Sequence, residues 1–129
     1  MKKLLYIFIS LLLLSCSSSE DSSSGPDKNS LNPPAWIQGK WALGTGDAQS
    51  GHEFKSNDWC SYMSSVSICW KSAIESSNGQ ATVVETITDS SYITKLTVGG
   101  ITITYTFIKM SATKIRVSSN GTSLYYDKK

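Results

Sequence analysis

Few side chains in this 129-residue chain could do covalent or acid–base chemistry: Cys16, Cys60, Cys69, the single histidine His52, and ten aspartates and glutamates. A catalytic thiol needs a base to take its proton, and a zinc site needs a converging set of His, Cys or carboxylate ligands. His52 stands at the edge of a Gly-rich stretch with no second His to support it, so it reads as a surface loop residue. His52-Glu53 with Asp58 is the one grouping that could hold a divalent cation, but a lone loop imidazole is ordinary surface and no metal is expected. Glu53, Asp58, Glu85 and Asp89 are candidate acids and bases, yet no spacing pairs two of them as general acid and base. No P-loop, Gly-x-Ser-x-Gly elbow or His-Glu-x-x-His occurs. The chain is expected to have no catalytic residues and no cofactor.

The elements that position these residues begin at the amino terminus. Lys2 and Lys3 precede an apolar run over residues 4–14. It is too short for ~30 Å of hydrocarbon, which takes about 20 helical residues, and reads as an export signal. Leu13-Leu14-Ser15-Cys16 resembles the lipobox of bacterial lipoproteins. That resemblance implies that the Cys16 thiolate accepts a diacylglyceryl group as a thioether, with acyl chains such as palmitate, and that a signal peptidase cuts after Ser15. Two acyl chains anchor a protein durably without a spanning helix. Residues 1–15 are then the signal, and residues 16–34 the lipidated Cys and a Ser-rich tether of roughly 20–25 Å as a random coil. Loss of Lys2 and Lys3 leaves ten basic against ten acidic side chains, which removes the electrostatic case for a nucleic-acid partner. Ser17 stands where an Asp would retain a lipoprotein at the inner membrane, so the expected location is the outer membrane. Glu20-Asp21 resembles surface-export signals of Bacteroidota lipoproteins, and the periplasmic and cell-surface faces both stay open.

With Cys16 lipidated, Cys60 and Cys69 are an even pair in an oxidising compartment and are expected to form a disulfide. Closing that loop contributes about 2.5–3 kcal/mol on the chain-entropy estimate.

From residue 35 the composition turns to Thr, Val, Ile, Tyr and Trp, which suit a half-buried pleated surface. In residues 101–109, Ile101, Ile103, Tyr105 and Phe107 share one face and three Thr the other. Gly99-Gly100 joins this strand to residues 91–98, whose Tyr92, Leu96 and Val98 share a face. Ile115 and Val117 alternate with Lys114 and Arg116, and Asn120-Gly121 turns the chain into a last strand. Residues 66–75 read as a strand on the shared parity of Val66, Ile68, Trp70 and Ile74. Residues 81–88 read as another, with Glu85 interrupting its apolar face and leaving the register open. Shorter strands are expected at 37–43, 51–55 and 57–62. The expected fold is all-β: a small antiparallel up-and-down barrel of about eight strands over residues 35–129, with an open sandwich of two sheets as the alternative.

Gly39-x-Trp41 on the first strand is similar to the Gly-x-Trp start of lipocalin-like proteins. The layout of tether, Trp-Ile-x-Gly-x-Trp and Thr-rich meander resembles the small lipocalin-like lipoproteins of Bacteroidota. The resemblance implies that Trp41 packs at the closed end of the barrel beneath a late-strand Arg. Arg116, the only Arg, could take that place by cation–π stacking.

An eight-stranded interior either fills with side chains or holds one small ligand. Trp36, Trp41, Trp59, Trp70, Phe54 and Phe107 are many large side chains for so short a domain, which makes a packed core the default. Trp59 and Tyr62, beside Cys60 in a polar stretch, are the candidate aromatics for an exposed binding patch or barrel mouth, with simple packing around the disulfide as the default. The expected function is a membrane-anchored envelope lipoprotein whose domain is a non-enzymatic binding module for a small apolar ligand or glycan. The alternative is an interaction or structural lipoprotein with an envelope-protein partner, or a hydrolase inhibitor.

Overall fold

In a computed structural model that describes residues 29–45 and 49–129, nine antiparallel strands form a single sheet. The export signal, Cys16 and the tether up to residue 28 lie outside the described residues. The elements are β1 (Gly39–Leu43), β2 (Ser50–Lys55), β3 (Asp58–Met63), β4 (Val66–Cys69), α1 (Trp70–Glu75), β5 (Ala81–Ile87), β6 (Ser91–Val98), β7 (Ile101–Lys109), β8 (Lys114–Ser119) and β9 (Thr122–Lys128).

The strand order is β4-β3-β2-β1-β9-β8-β7-β6-β5. Every strand bonds its neighbour in sequence except β4 and β5, and β1 also pairs with β9. An up-and-down meander has therefore rolled until its first and last strands meet, and its gap falls where a helix interrupts the strands. The product is a curled half-barrel, with α1 packed against both β3 and β5 across the seam. Rings from opposite strands meet over the concave face: Phe54 of β2 lies 6.0 Å from Tyr92 of β6, and Trp59 of β3 lies 4.8 Å from Tyr105 of β7.

Period-two alternation places the core. Ile115, Val117, Tyr92, Leu96 and Phe107 are buried on the concave face, while Lys114 and Lys95 are exposed on the convex one. Gly99-Gly100 and Asn120-Gly121 both have positive φ at the two central residues, the left-handed geometry that matches the twist of a tight hairpin.

Two local expectations need correction, and one register left open is resolved. Residues 66–75 are not one strand, because β4 ends at Cys69 and α1 begins at Trp70. The helix has no acidic residue in its first turn, and the Asp58 carboxylate of β3 supplies the cap, accepting from the backbone N–H of Lys71 at 2.9 Å. The register of β5 pairs Val83 with Leu96 and Glu85 with Thr94. Glu85 is tolerated on the inner face because it accepts the Tyr92 hydroxyl and, through both carboxylate oxygens, the Asn32 N–H at 2.9 and 3.0 Å. Finally, residues 29–34, expected in the tether, lie on the fold. Leu31 and Ile37 are buried, Trp36 Nε1 donates to the Thr88 carbonyl at 3.1 Å, and Gln38 Nε2 donates to the Pro33 carbonyl at 3.1 Å. This lead-in covers the barrel end from which β1 starts.

Candidate functional site

Inside the covered end, Trp41 is buried and its Nε1 donates to the Ile37 carbonyl at 2.6 Å, tying β1 to the lead-in. The cation over its ring is Lys128, with Nζ 5.2 Å from the centroid. Arg116, expected there, is on the opposite face of the sheet, since its neighbours Ile115 and Val117 point into the core. Gly39 has φ +118, and a Cβ on it would meet the Lys128 side chain at 3.1 Å. The glycine of Gly39-x-Trp41 thus leaves room for the Lys128 stem to cross toward the indole.

Above this lies an aromatic layer that takes Trp59 out of the candidate binding patch and corrects the expectation for His52. Trp59 is fully buried, stacked on Phe54 at 6.1 Å, because the β2–β3 hairpin makes the two register partners. His52 is no surface loop residue: it sits on β2, on the same face as Phe54, with ring centroids of Phe107 and Tyr126 at 5.5 and 5.1 Å. Trp59 Nε1 donates to His52 Nδ1 at 3.2 Å, which leaves the imidazole proton on Nε2. Burial lowers the His52 pKa from 6.5 to about 4, so it is neutral at physiological pH. Burial likewise raises the Tyr126 phenol above its ordinary value.

His52 and Glu53 point to opposite faces, so they do not converge with Asp58. Asp58, Cys60 and Cys69 form the one group of ligand-type atoms within 4.8 Å of one another among the described residues. Its two sulfurs are joined as a disulfide between register partners of β3 and β4, at 2.01 Å.

Tyr62 lies on the convex face, over Gly51, and its hydroxyl donates to the Trp41 carbonyl at 3.1 Å. A Cβ at position 51 would overlap the Trp41 carbonyl oxygen first and the Tyr62 hydroxyl next, so the glycine is required by the neighbouring backbone as well as by the tyrosine above it. Lys40 Nζ is 4.8 Å from the Tyr62 ring. Desolvation first, then the charge of Glu53, raises the Tyr62 phenol above its ordinary value.

The far end of the barrel differs. There the two-residue turns 64–65, 99–100 and 120–121 reverse the chain, and among the described residues the concave face continues to the rim. In the β3–β4 hairpin Met63 pairs with Val66 and Ser61 with Ile68, and in the β6–β7 hairpin Val98 pairs with Ile101 and Leu96 with Ile103. Met63 is 70% exposed, Val66 65%, Ile68 53%, Val98 48% and Ile101 68%. A recess of about 420 Å³ lies along Ser61, Met63, Val66 and Ile68, bordered by Tyr62. A second, of about 310 Å³, lies among Trp70, Leu96, Val98, Ile101 and Ile103. Neither contains a charged side chain, and both are in the size range of small-molecule sites. Trp70 is 5.8 Å from Trp59, which joins this mouth to the packed layer below.

The mouth residues other than Tyr62 escaped the sequence reading. Their signal is the placement of apolar residues on both sides of a tight turn, as in Met63-Ser-Ser-Val66 and Val98-Gly-Gly-Ile101, where polar residues would suit a solvated tip. Comparison of the chain with protein-family models, curated proteins and solved structures finds no match.

Proposed function

We propose that this protein is a lipid-anchored lipoprotein of the bacterial outer membrane whose lipocalin-like domain is a non-enzymatic binding module, taking a small apolar ligand in the open mouth. The observation that carries the reading is the run of half-exposed aliphatic side chains on the concave face above a floor of packed aromatics. Leaving such a surface wet is unfavourable by ~25 cal/mol per Å², and a bound apolar molecule would recover that free energy. Anchoring rests on the lipobox-like Cys16. A tether entering at the lead-in end would turn the mouth away from the anchor.

Native mass spectrometry of the chain after exposure to an envelope lipid extract tests the binding, and labelling with radioactive palmitate tests the anchor. The expected results are a reproducible bound mass, lost in Ile68→Glu, and label incorporation that Cys16→Ser abolishes. An apo spectrum under all loadings would move the function to a protein partner, and label persisting in Cys16→Ser would remove the anchor.

A further inference from the structure

The convex face carries a group of side chains that the mouth does not use. Arg116 is half-buried, its Nε is covered without a partner, and its side chain makes no hydrogen bond or ion pair among the described residues. The acid nearest in register, Asp127, is engaged by Lys114 at 3.0 Å. The covered Nε is closed to a ligand, but the rest of the guanidinium has no counter-charge among the described residues and is free to meet a planar anion.

Sheet register shows what surrounds it. Arg116 pairs with Ile108 of β7 and Tyr125 of β9, and two residues along the strand Ser118 pairs with Thr106 and Ser123. All six side chains share the convex face by alternation. Tyr125 is 50% exposed, and the Ser118 and Ser123 hydroxyls are 2.7 Å apart. Strands at ~4.8 Å and same-face residues at roughly 6.8 Å make this a flat grid about two strand spacings wide. It offers an apolar ring face, a fork that binds planar anions bidentately, and a row of neutral hydroxyls that donate and accept.

We infer that this grid binds an acidic saccharide: a sugar ring lies on Tyr125, its carboxylate or sulfate meets the Arg116 guanidinium, and its hydroxyls bond Ser118, Ser123 and Thr106. The charge complement is Arg116, and the sugar face is chosen over an acidic peptide because the remaining polar groups are all hydroxyls. The site is independent of the mouth and stands or falls separately from it.

Calorimetric titration of the full chain with trigalacturonate, its methyl ester, a sulfated trisaccharide and a hexaglutamate peptide tests the inference. Saturable binding of trigalacturonate or the sulfated sugar is expected, and the stronger of the two identifies the anion. That affinity should fall at least tenfold in Arg116→Gln and in Tyr125→Ala, and at least threefold in Arg116→Lys, which keeps the charge and loses the fork. The methyl ester should bind at least tenfold more weakly than the acid. Unchanged thermal midpoints for Tyr125→Ala and Arg116→Lys show that these losses are not unfolding. Binding of neither acidic sugar, equal binding of ester and acid, affinity unchanged in Arg116→Gln, or tighter binding of hexaglutamate would each overturn it.

Discussion

The two ends of the half-barrel are built from the same alternation and much the same residue types, yet one is dry and the other open. At the covered end Trp41, Phe54, Tyr92, Phe107 and Ile115 are buried, and the polar atoms among them are partnered by the Ile37 carbonyl and Glu85. At the mouth Met63, Val66 and Ile101 are mostly exposed. What differs is the covering chain. Residues 29–38 pass over one end, whereas at the other the connections 64–65, 99–100 and 120–121 are two-residue turns too short to fold back. Among the described residues, the apolar inner face is a core where chain passes over it and an open surface where tight turns border it.

The largest test of that contrast is a pair of truncations. Phe107→Ala should lower the unfolding free energy by about 3–5 kcal/mol, while Ile101→Ala should change it by less than about 0.5 kcal/mol, both by urea titration. Equal losses would mean that the mouth is part of the core.

His52 is the next lever. It is held neutral in the folded chain at pH values where the unfolded chain binds a proton, so stability is intact above about 6.5 and is lost as pH falls toward about 4. The loss is on the order of 3 kcal/mol. His52→Gln, which keeps an acceptor for Trp59 Nε1, should flatten that part of the pH–stability curve. A wild-type slope retained in the variant would show that other groups carry it.

Replacing Cys60 and Cys69 together by Ser should cost about 2.5–3 kcal/mol. It should also weaken apolar probe binding, since the bridge holds β4, which bears Val66 and Ile68, directly before Trp70. A small effect of either zero or favourable sign is expected at Thr94, fully buried with its hydroxyl unpartnered. Thr94→Val should be neutral or stabilise by up to about 1 kcal/mol, and clear destabilisation would reveal a partner for that hydroxyl.

The carboxy-terminal meander was legible because each turn has its own chemistry, Gly99-Gly100 and Asn120-Gly121, and each strand a clean period of two. The helix was not, since Trp70 and Ile74 are four apart and share a face in a strand as in a helix. Ile115 and Val117 already place Arg116 outward by alternation. The resemblance to lipocalin-like proteins argued otherwise, and the alternation prevailed. His52 and Trp59 depend on the register of the β2–β3 hairpin, which pairs Phe54 with Trp59, and Ser56-Asn57 marks a turn without the glycine that would fix its type and register. The buried stretch around Leu31 was hidden because a single Leu in a polar segment carries no period.

The central claim is that an apolar ligand sits in the mouth and not among the packed rings. Methyl NMR of the protein titrated with N-phenyl-1-naphthylamine, a neutral apolar probe, tests it directly. Saturable shifts at Met63, Ile68, Ile101 and Ile103, with Ile37 and Ile115 unmoved, are the predicted result. Shifts centred on Ile37 and Ile115, or none at the rim, would contradict it.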